Sequence, residues 1–176
     1  SHGNAIGITI DGLPAGFSID MDKIMMEMSR RAPGKSSLST PRKESDIPDI
    51  LSGYFEGKTT GTPLCAIIRN SNTKSKDYSK LKDVMRPGHA DYTGAVRYKG
   101  FNDYRGGGHF SGRLTLGLVS AGVVAKKILR NASFETKIVN LNGETDSTKF
   151  DNILREAVKS NDSVGGIISI KTSNIE

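Results

Sequence analysis

Apolar residues recur along this chain with two different periods, and the alternation divides it into short strands and three helices. Residues 4–10 (NAIGITI) are apolar and β-branched and predict a strand, closed by the turn chemistry of Asp11-Gly12-Leu13-Pro14-Ala15-Gly16. Met21, Ile24, Met25 and Met28 then fall at i, i+3, i+4 and i+7, one face of a helix that Ser18 or Asp20 can cap and Pro33-Gly34 ends. Methionine is unbranched and fills irregular gaps, so this is read as a packing face. Residues 50–56 (ILSGYFE) and 63–69 (PLCAIIR) predict two further strands joined by a loop over 57–62. A second helix is expected over about 112–130, its period set by Leu114, Leu118, Ala121, Ala125 and Ile128. Gly112, Gly117, Ala121, Gly122 and Ala125 leave one side of it nearly flat. Each glycine costs a helix about 1 kcal/mol relative to alanine, so close packing against a sheet or another helix must compensate. A short strand at 137–141, a third helix at about 149–159 and a strand at 164–171 complete the pattern. The third helix carries Phe150, Ile153, Leu154, Ala157 and Val158 on one face, with Thr148 and Asp151 as its expected capping pair. The expected class is α+β, with helices sandwiched against sheets.

Composition narrows the partners. Lys and Arg total 25 against 19 Asp and Glu, a net charge of +6, which favours an anion: nucleic acid, membrane lipid or a phosphorylated metabolite. Aromatic content is only 6%, and no RNP-like, zinc-finger or helix-turn-helix pattern occurs, so no nucleic-acid partner is expected. No apolar run approaches the ~20 residues needed to span a bilayer, and no signal peptide stands at the visible start, so no membrane partner is expected either. Cys65 is the single cysteine, in the apolar setting PLCAII; it is read as a buried structural thiol in a reducing, cytoplasmic protein. Three scattered His and one Cys give no metal-ligand spacing, so no metal site is expected. Both ends look cut: Ser1-His2-Gly3 runs straight into an apolar segment, and Asn174-Ile175-Glu176 follows a strand-like run. Residues 1–176 are therefore expected to be a single, partial domain.

Candidate chemistry is concentrated between Arg86 and Arg113. That stretch holds Arg86, Arg97, Arg105 and Arg113, two of the three His (His89 and His109), and the only glycine triplet, Gly106–Gly108. Successive glycines let backbone N–H groups approach an anion, and the triplet runs through His109, Phe110 and Ser111 into the second helix, whose N-terminus adds partial positive charge. Ser111 can cap that helix or bond a phosphate oxygen. Arg105 and Arg113 bracket the turn and can each grip oxygens bidentately. His89 follows the Pro87-Gly88 turn with Asp91 two residues on, and imidazole is the side chain suited to acid–base work near neutrality. His2 stands ahead of the first strand with the same chemistry available. Arg30 and Arg31 close the first helix and lead into the polar, basic loop APGKSSLSTPRKESD (32–46), which adds Lys35, Arg42 and Lys43. Segment 70–83 is very polar and reads as an exposed excursion.

These blocks, taken together, resemble the chorismate synthase family. The resemblance is carried by SHGNAIG (1–7), RRAPGKSSLSTPRKE (30–44), SGYFEGKTTGTP (52–63), RPGHADYT (86–93), DYRGGGHFSGRLT (103–115), AKKIL (125–129) and NDSVGGII (161–168), and it spans nearly the whole chain. It implies a β-α-β sandwich of antiparallel sheets and central helices, usually a homotetramer. It also implies conversion of 5-enolpyruvylshikimate 3-phosphate to chorismate and phosphate, an anti-1,4-elimination in the shikimate pathway that needs reduced FMN without net redox change, with NADPH as candidate reductant. Position by position, His2 matches the histidine that protonates the departing phosphate and His89 the one that protonates the reduced flavin. Arg31, Arg42, Arg86 and Arg113 match arginines that hold the substrate's phosphate and carboxylates, and Ser1 the serine beside the first histidine. His109, Phe110 and Ser111 match the flavin-contacting tripeptide, more often Arg-Ser-Ser, and Arg31 is assigned to the flavin as well. Ser37 stands where many members have an arginine serving a nicotinamide site, and Leu114 replaces a usual glutamate. The family's chains run to about twice this length, and the resemblance places further flavin contacts, a substrate arginine and a deprotonating aspartate in the other half. A chain of 176 residues alone is thus expected to be inactive and to bind flavin weakly. The alternative is a flavin- or phosphate-binding fragment without catalysis.

Overall fold

A computed structural model describes residues 2–32, 46–70 and 82–175. The stop signal Pro33-Gly34, most of the basic loop and most of the polar excursion lie outside the described residues. The chain divides into two compact units, with the division inside the long helix after Ala125.

The first unit is built on a three-stranded antiparallel sheet in which β5 (Leu64–Arg69) lies between β1 (Ala5–Ile10) and β2 (Pro48–Ser52). Its register aligns Ile6 with Ile68, Ile8 with Ala66 and Ile10 with Leu64, so branched side chains stack on one face. Leu64, Ala66 and Ile68 alternate inward along β5. Cys65 falls between them, on the other face, and is half-buried rather than enclosed. The region read as one strand at 50–56 is two: β2 ends at Ser52, and β3 (Tyr54–Phe55) folds back on β4 (Lys58–Thr59). Gly53 makes the break, with φ 74° and a position where a Cβ would lie 2.5 Å from the Leu64 Cα.

Two helices cover the sheet's apolar face. α1 (Met21–Arg31) buries Ile24 and Met28, the face the methionine spacing predicts, and Asp20 rather than Ser18 caps it by accepting from the Lys23 amide at 2.9 Å. α3 (Thr115–Ile128) buries Leu116, Gly117, Ser120, Val123 and Val124. This is not the stripe drawn from Leu114, Leu118, Ala121, Ala125 and Ile128: Leu118 is 70% exposed, whereas Leu116 is 0% exposed. Of the small residues, Gly117 is the one that makes the close approach, since a Cβ there would come within 3.2 Å of the Ile8 Cβ. Gly112 and Gly122 have nothing within 4 Å of that position. A further short helix, α2 (Asp91–Arg97), lies within the Arg86–Arg113 stretch, where the sequence pattern predicts no element before the second helix.

The second unit pairs β6 (Ser133–Leu141) with β7 (Gly166–Ser173) antiparallel; β6 is longer than expected, and β7 has the expected length but begins two residues later. Between them comes α4 (Phe150–Lys159). Its lead-in is capped not by Thr148 and Asp151 but by Asp146, which accepts from the Thr148 amide at 3.0 Å and its hydroxyl at 2.7 Å. The class is α+β with antiparallel sheets, as expected.

The two candidate faces of α3 are separable by mutation. Leu116→Ala should lower unfolding stability by about 2–5 kcal/mol, whereas Leu118→Ala should stay within about 0.5 kcal/mol. Urea denaturation midpoints measure both.

Candidate active site around a glycine turn

The candidate site is organised by Gly106-Gly107-Gly108, whose φ angles are 58°, 87° and 51°. All three are positive, in the region L side chains rarely occupy. Each glycine also touches something. The His2 ring occupies the space a Gly106 Cβ would need, and at Gly107 a Cβ would lie 2.9 Å from His89 Cε1. At Gly108 a Cβ would lie 2.5 Å from the Asp103 carbonyl oxygen. Two histidines far apart in sequence therefore meet consecutive residues of one turn. His2 is buried, at 5% exposure, while His89 is more open.

Around His89, the RPGHAD segment closes on itself. Asp91 takes the Arg86 guanidinium in a fork, with Nε to Oδ2 at 2.8 Å and Nη2 to Oδ1 at 2.9 Å, and also accepts from the Arg86 amide at 3.1 Å. The Asp91 side chain is only 10% exposed. The Arg86 side-chain hydrogen bonds, with smaller help from its amide and charge, hold the Asp91 carboxyl down from 3.8 to about 2, against a burial effect that raises it. His89 Nδ1 sits 3.2 Å from Asp91 Oδ1 and 3.3 Å from Arg86 Nη2. Arg86 Nη2 can only donate, so in that hydrogen bond Nδ1 accepts and the neutral ring carries its proton on Nε2.

The other arginines are tied down by chain carboxylates. Asp46, 2% exposed, receives Arg113 Nη2 on Oδ1 at 3.0 Å and faces Arg31 Nη1 with Oδ2 at 3.5 Å. Arg31 also donates to the Thr115 hydroxyl at 3.0 Å and the Gly112 carbonyl at 3.4 Å, and Arg113 donates from Nε to Asn70 Oδ1 at 2.9 Å. Two guanidinium groups thus converge on one carboxylate and keep one net positive charge. Arg105, read as a free grip beside the turn, is forked by Asp103 instead, at 2.8 Å on both contacts. That pairing holds Asp103 below and Arg105 above their ordinary values. Ser111 acts as a cap, accepting from the Arg113 amide at 3.2 Å.

Beside the triplet lies a cavity of about 720 Å³, whose wall includes Tyr98, Phe101, Tyr104, Gly107, His109 and Phe110. Phe110 is seated over α2 at Gly94, where a Cβ would come within 2.8 Å of Cε2, and faces the Tyr98 ring at 6.3 Å between centroids. The wall also carries Lys82, Asp83, Asp91, Asn102 and Asp103, and its size suits a drug-sized ligand that presents both apolar and polar groups. Arg31, Arg86 and Arg113 are brought to the same unit as both histidines; Ser1, Lys35, Ser37 and Arg42 lie outside the described residues. Reading the sequence singled out neither Asp46 nor Asn70. An acid closing a basic run is the signal for Asp46; Asn70 has none, because its partners are assembled by strand pairing.

The chorismate synthase family model matches residues 1–176. The chain is 47% identical over 169 residues to the chorismate synthase of Chitinophaga pinensis, covering 96% of this chain and 50% of that one. It is 55% identical over 137 residues to that of Sulfurimonas denitrificans, covering 78% and 38%. A solved structure described as a crystal structure of chorismate synthase superposes with a TM-score of 0.68 at 21% identity, over 99% of this chain and 55% of that one. The fold is that of an α+β protein with antiparallel sheets. The family model over the whole chain and these relatives show that the chain belongs to the chorismate synthase family. It spans about half the length of the curated relatives it matches.

Two measurements probe the turn. Gly106→Ala and Gly88→Ala both place a side chain at positive φ, but only Gly106 meets another group there. Gly106→Ala should therefore cost about 1–3 kcal/mol more in denaturation, and the excess should vanish in a His2→Ala background. The second concerns Asp91, whose folded carboxyl is depressed. Its stabilising contribution is complete above the unfolded value, about 4. It is lost as the pH falls through about 2. The stability gap between wild type and Asp91→Asn, followed by urea midpoints, should narrow between those limits.

Proposed function

We propose that this chain supplies one part of the active site of a protein about twice its length, which converts 5-enolpyruvylshikimate 3-phosphate to chorismate and phosphate. The observation that carries the reading is the seating of His2 and His89 on adjacent residues of the glycine turn, beside arginines held by Asp46 and Asp91. Family membership supplies the reaction class. A substrate with a phosphate and two carboxylates needs fixed positive charge in a water-poor setting, where each contact counts for more.

In this reading Arg31, Arg86 and Arg113, with Arg42 and Ser1, bind the substrate's phosphate and carboxylates. Their own acids orient the guanidinium groups before substrate arrives. His2 gives a proton to the departing phosphate oxygen as the C3–O bond breaks, while the C6 proton leaves to a base outside these residues. The cavity would take reduced FMN with its ring on the aromatic wall and its phosphate kept away from Asp83, Asp91 and Asp103: Phe110 and His109 line it, Gly107 offers backbone, and Ser111 and Arg31 flank the turn. Bound reduced FMN supplies an electron-rich ring that eases phosphate departure. His89, whose ring lies against Gly107, would hold a proton for the flavin. A homotetramer working in the cytoplasm, with NADPH as the source of reducing equivalents, completes the reading. No described helix is long and apolar enough to cross a membrane.

The full-length protein, assayed anaerobically with reduced FMN and 5-enolpyruvylshikimate 3-phosphate, should release chorismate and phosphate in equal amounts. Absence of either product contradicts the proposal. His89→Ala should slow turnover by about 10²–10⁴-fold, the scale of lost acid–base catalysis, and a rate near wild type would remove it from that role. The 176-residue chain alone should show no turnover.

A further inference from the structure

Asn70 joins the anion-binding arginines to the backbone that carries His2, although nothing in its residue type announces a role. It follows directly on β5, beyond the last residue paired with β1, Arg69 opposite Ala5. The Asn70 amide donates to the Asn4 carbonyl at 3.0 Å, and its side-chain Nδ2 donates to the Gly3 carbonyl at 2.8 Å. The antiparallel ladder is thereby extended past the end of β1, once by backbone and once by a side chain, to the residue next to His2. On its other side Asn70 Oδ1 accepts from Arg113 Nε at 2.9 Å, and Arg113 Nη2 reaches buried Asp46 at 3.0 Å. The amide orientation is fixed by these partners, because a guanidinium can only donate and a carbonyl can only accept.

His2 is therefore gripped from two directions. Its ring lies on Gly106, and its backbone neighbour Gly3 is held by Asn70. Glycine at position 3 has no Cβ to pack, so this hydrogen bond supplies the restraint that a side chain would otherwise give. We propose that Asn70 is a positioning residue for the reaction, locking the His2 loop to Arg113 so that the proton donor and the anion-binding guanidinium keep a fixed separation. This rests on the function proposed above. A proton donor and an anion clamp act on the same leaving group only if both hold their places, and small misplacements cost up to about 10²-fold in rate.

The test uses the full-length protein with Asn70→Ala, Asn70→Asp and the double variant His2→Ala/Asn70→Ala. Aspartate keeps an acceptor for Arg113 Nε but cannot donate to the Gly3 carbonyl. Asn70→Asp should therefore lower kcat about tenfold or more, whereas the charge it adds beside Arg113 shows separately as a rise in KM. The double variant should be no slower than His2→Ala by more than about twofold, because both changes remove the same function. A wild-type kcat in Asn70→Asp, or losses that multiply in the double variant, would overturn the proposal. If Asn70→Ala does not fold, Asn70→Asp carries the comparison, since it preserves size. A readout independent of turnover separates this idea from the function itself. In ¹⁵N spectra of the imidazoles, Asn70→Asp should shift the His2 signal and leave that of His89 in place. An unmoved His2 signal sinks the positioning claim even in an active enzyme; a moved one supports it even if wild type makes no chorismate, an outcome that would count against the proposed function alone.

Discussion

Three consecutive residues with positive φ cannot carry side chains without strain, and in this chain the space their missing Cβ atoms leave is filled by His2, His89 and the Asp103 carbonyl. The turn works as a mould: its backbone conformation and its lack of side chains together determine where two imidazoles come to rest. The neighbouring sheet and helices position the parts that must reach it. His2 stands just ahead of β1, His89 just ahead of α2 with Asp91 as that helix's first residue, and Arg113 in the turn Gly112–Leu114 that leads into α3.

The same economy governs the charges. Arginines gathered in one place repel one another, and each acid here answers that problem locally. Asp91 forks Arg86 and reaches His89, and Asp103 forks Arg105. Asp46 is shared by Arg31 and Arg113. Breaking the buried Asp46 pairing leaves an uncompensated charge, so that acid is as much a part of the site as the arginines it holds. The acids also fix the direction in which each guanidinium presents its edge, which is how a preorganised site avoids reorganising when charge develops.

Much of this was legible in the sequence where the signal is local. The methionine spacing gave the correct face of α1, because a 3.6-residue period needs no knowledge of partners. The α3 face was misread because glycine and alanine carry little pattern; Leu116 and Val124 mark the buried stripe, while Leu118 points outward. The strand break at Gly53 and the short helix α2 were missed for a related reason. The first depends on the close approach of Leu64, and in the second Tyr92 and Val96 remain exposed, leaving no hydrophobic period to read. The two histidines were picked out by residue type, but their meeting at Gly106 and Gly107, and the ties made by Asp46 and Asn70, arise from tertiary pairing between segments distant in sequence.

The central claim is that His2 and His89 belong to one site that takes one anionic substrate. The most direct measurement is a titration of the full-length protein, with ¹⁵N-labelled imidazoles, by 5-enolpyruvylshikimate 3-phosphate in the presence of FMN. The account predicts that the His2 and His89 signals move together and saturate at the same substrate concentration. Movement of one without the other, or saturation at different concentrations, would contradict it.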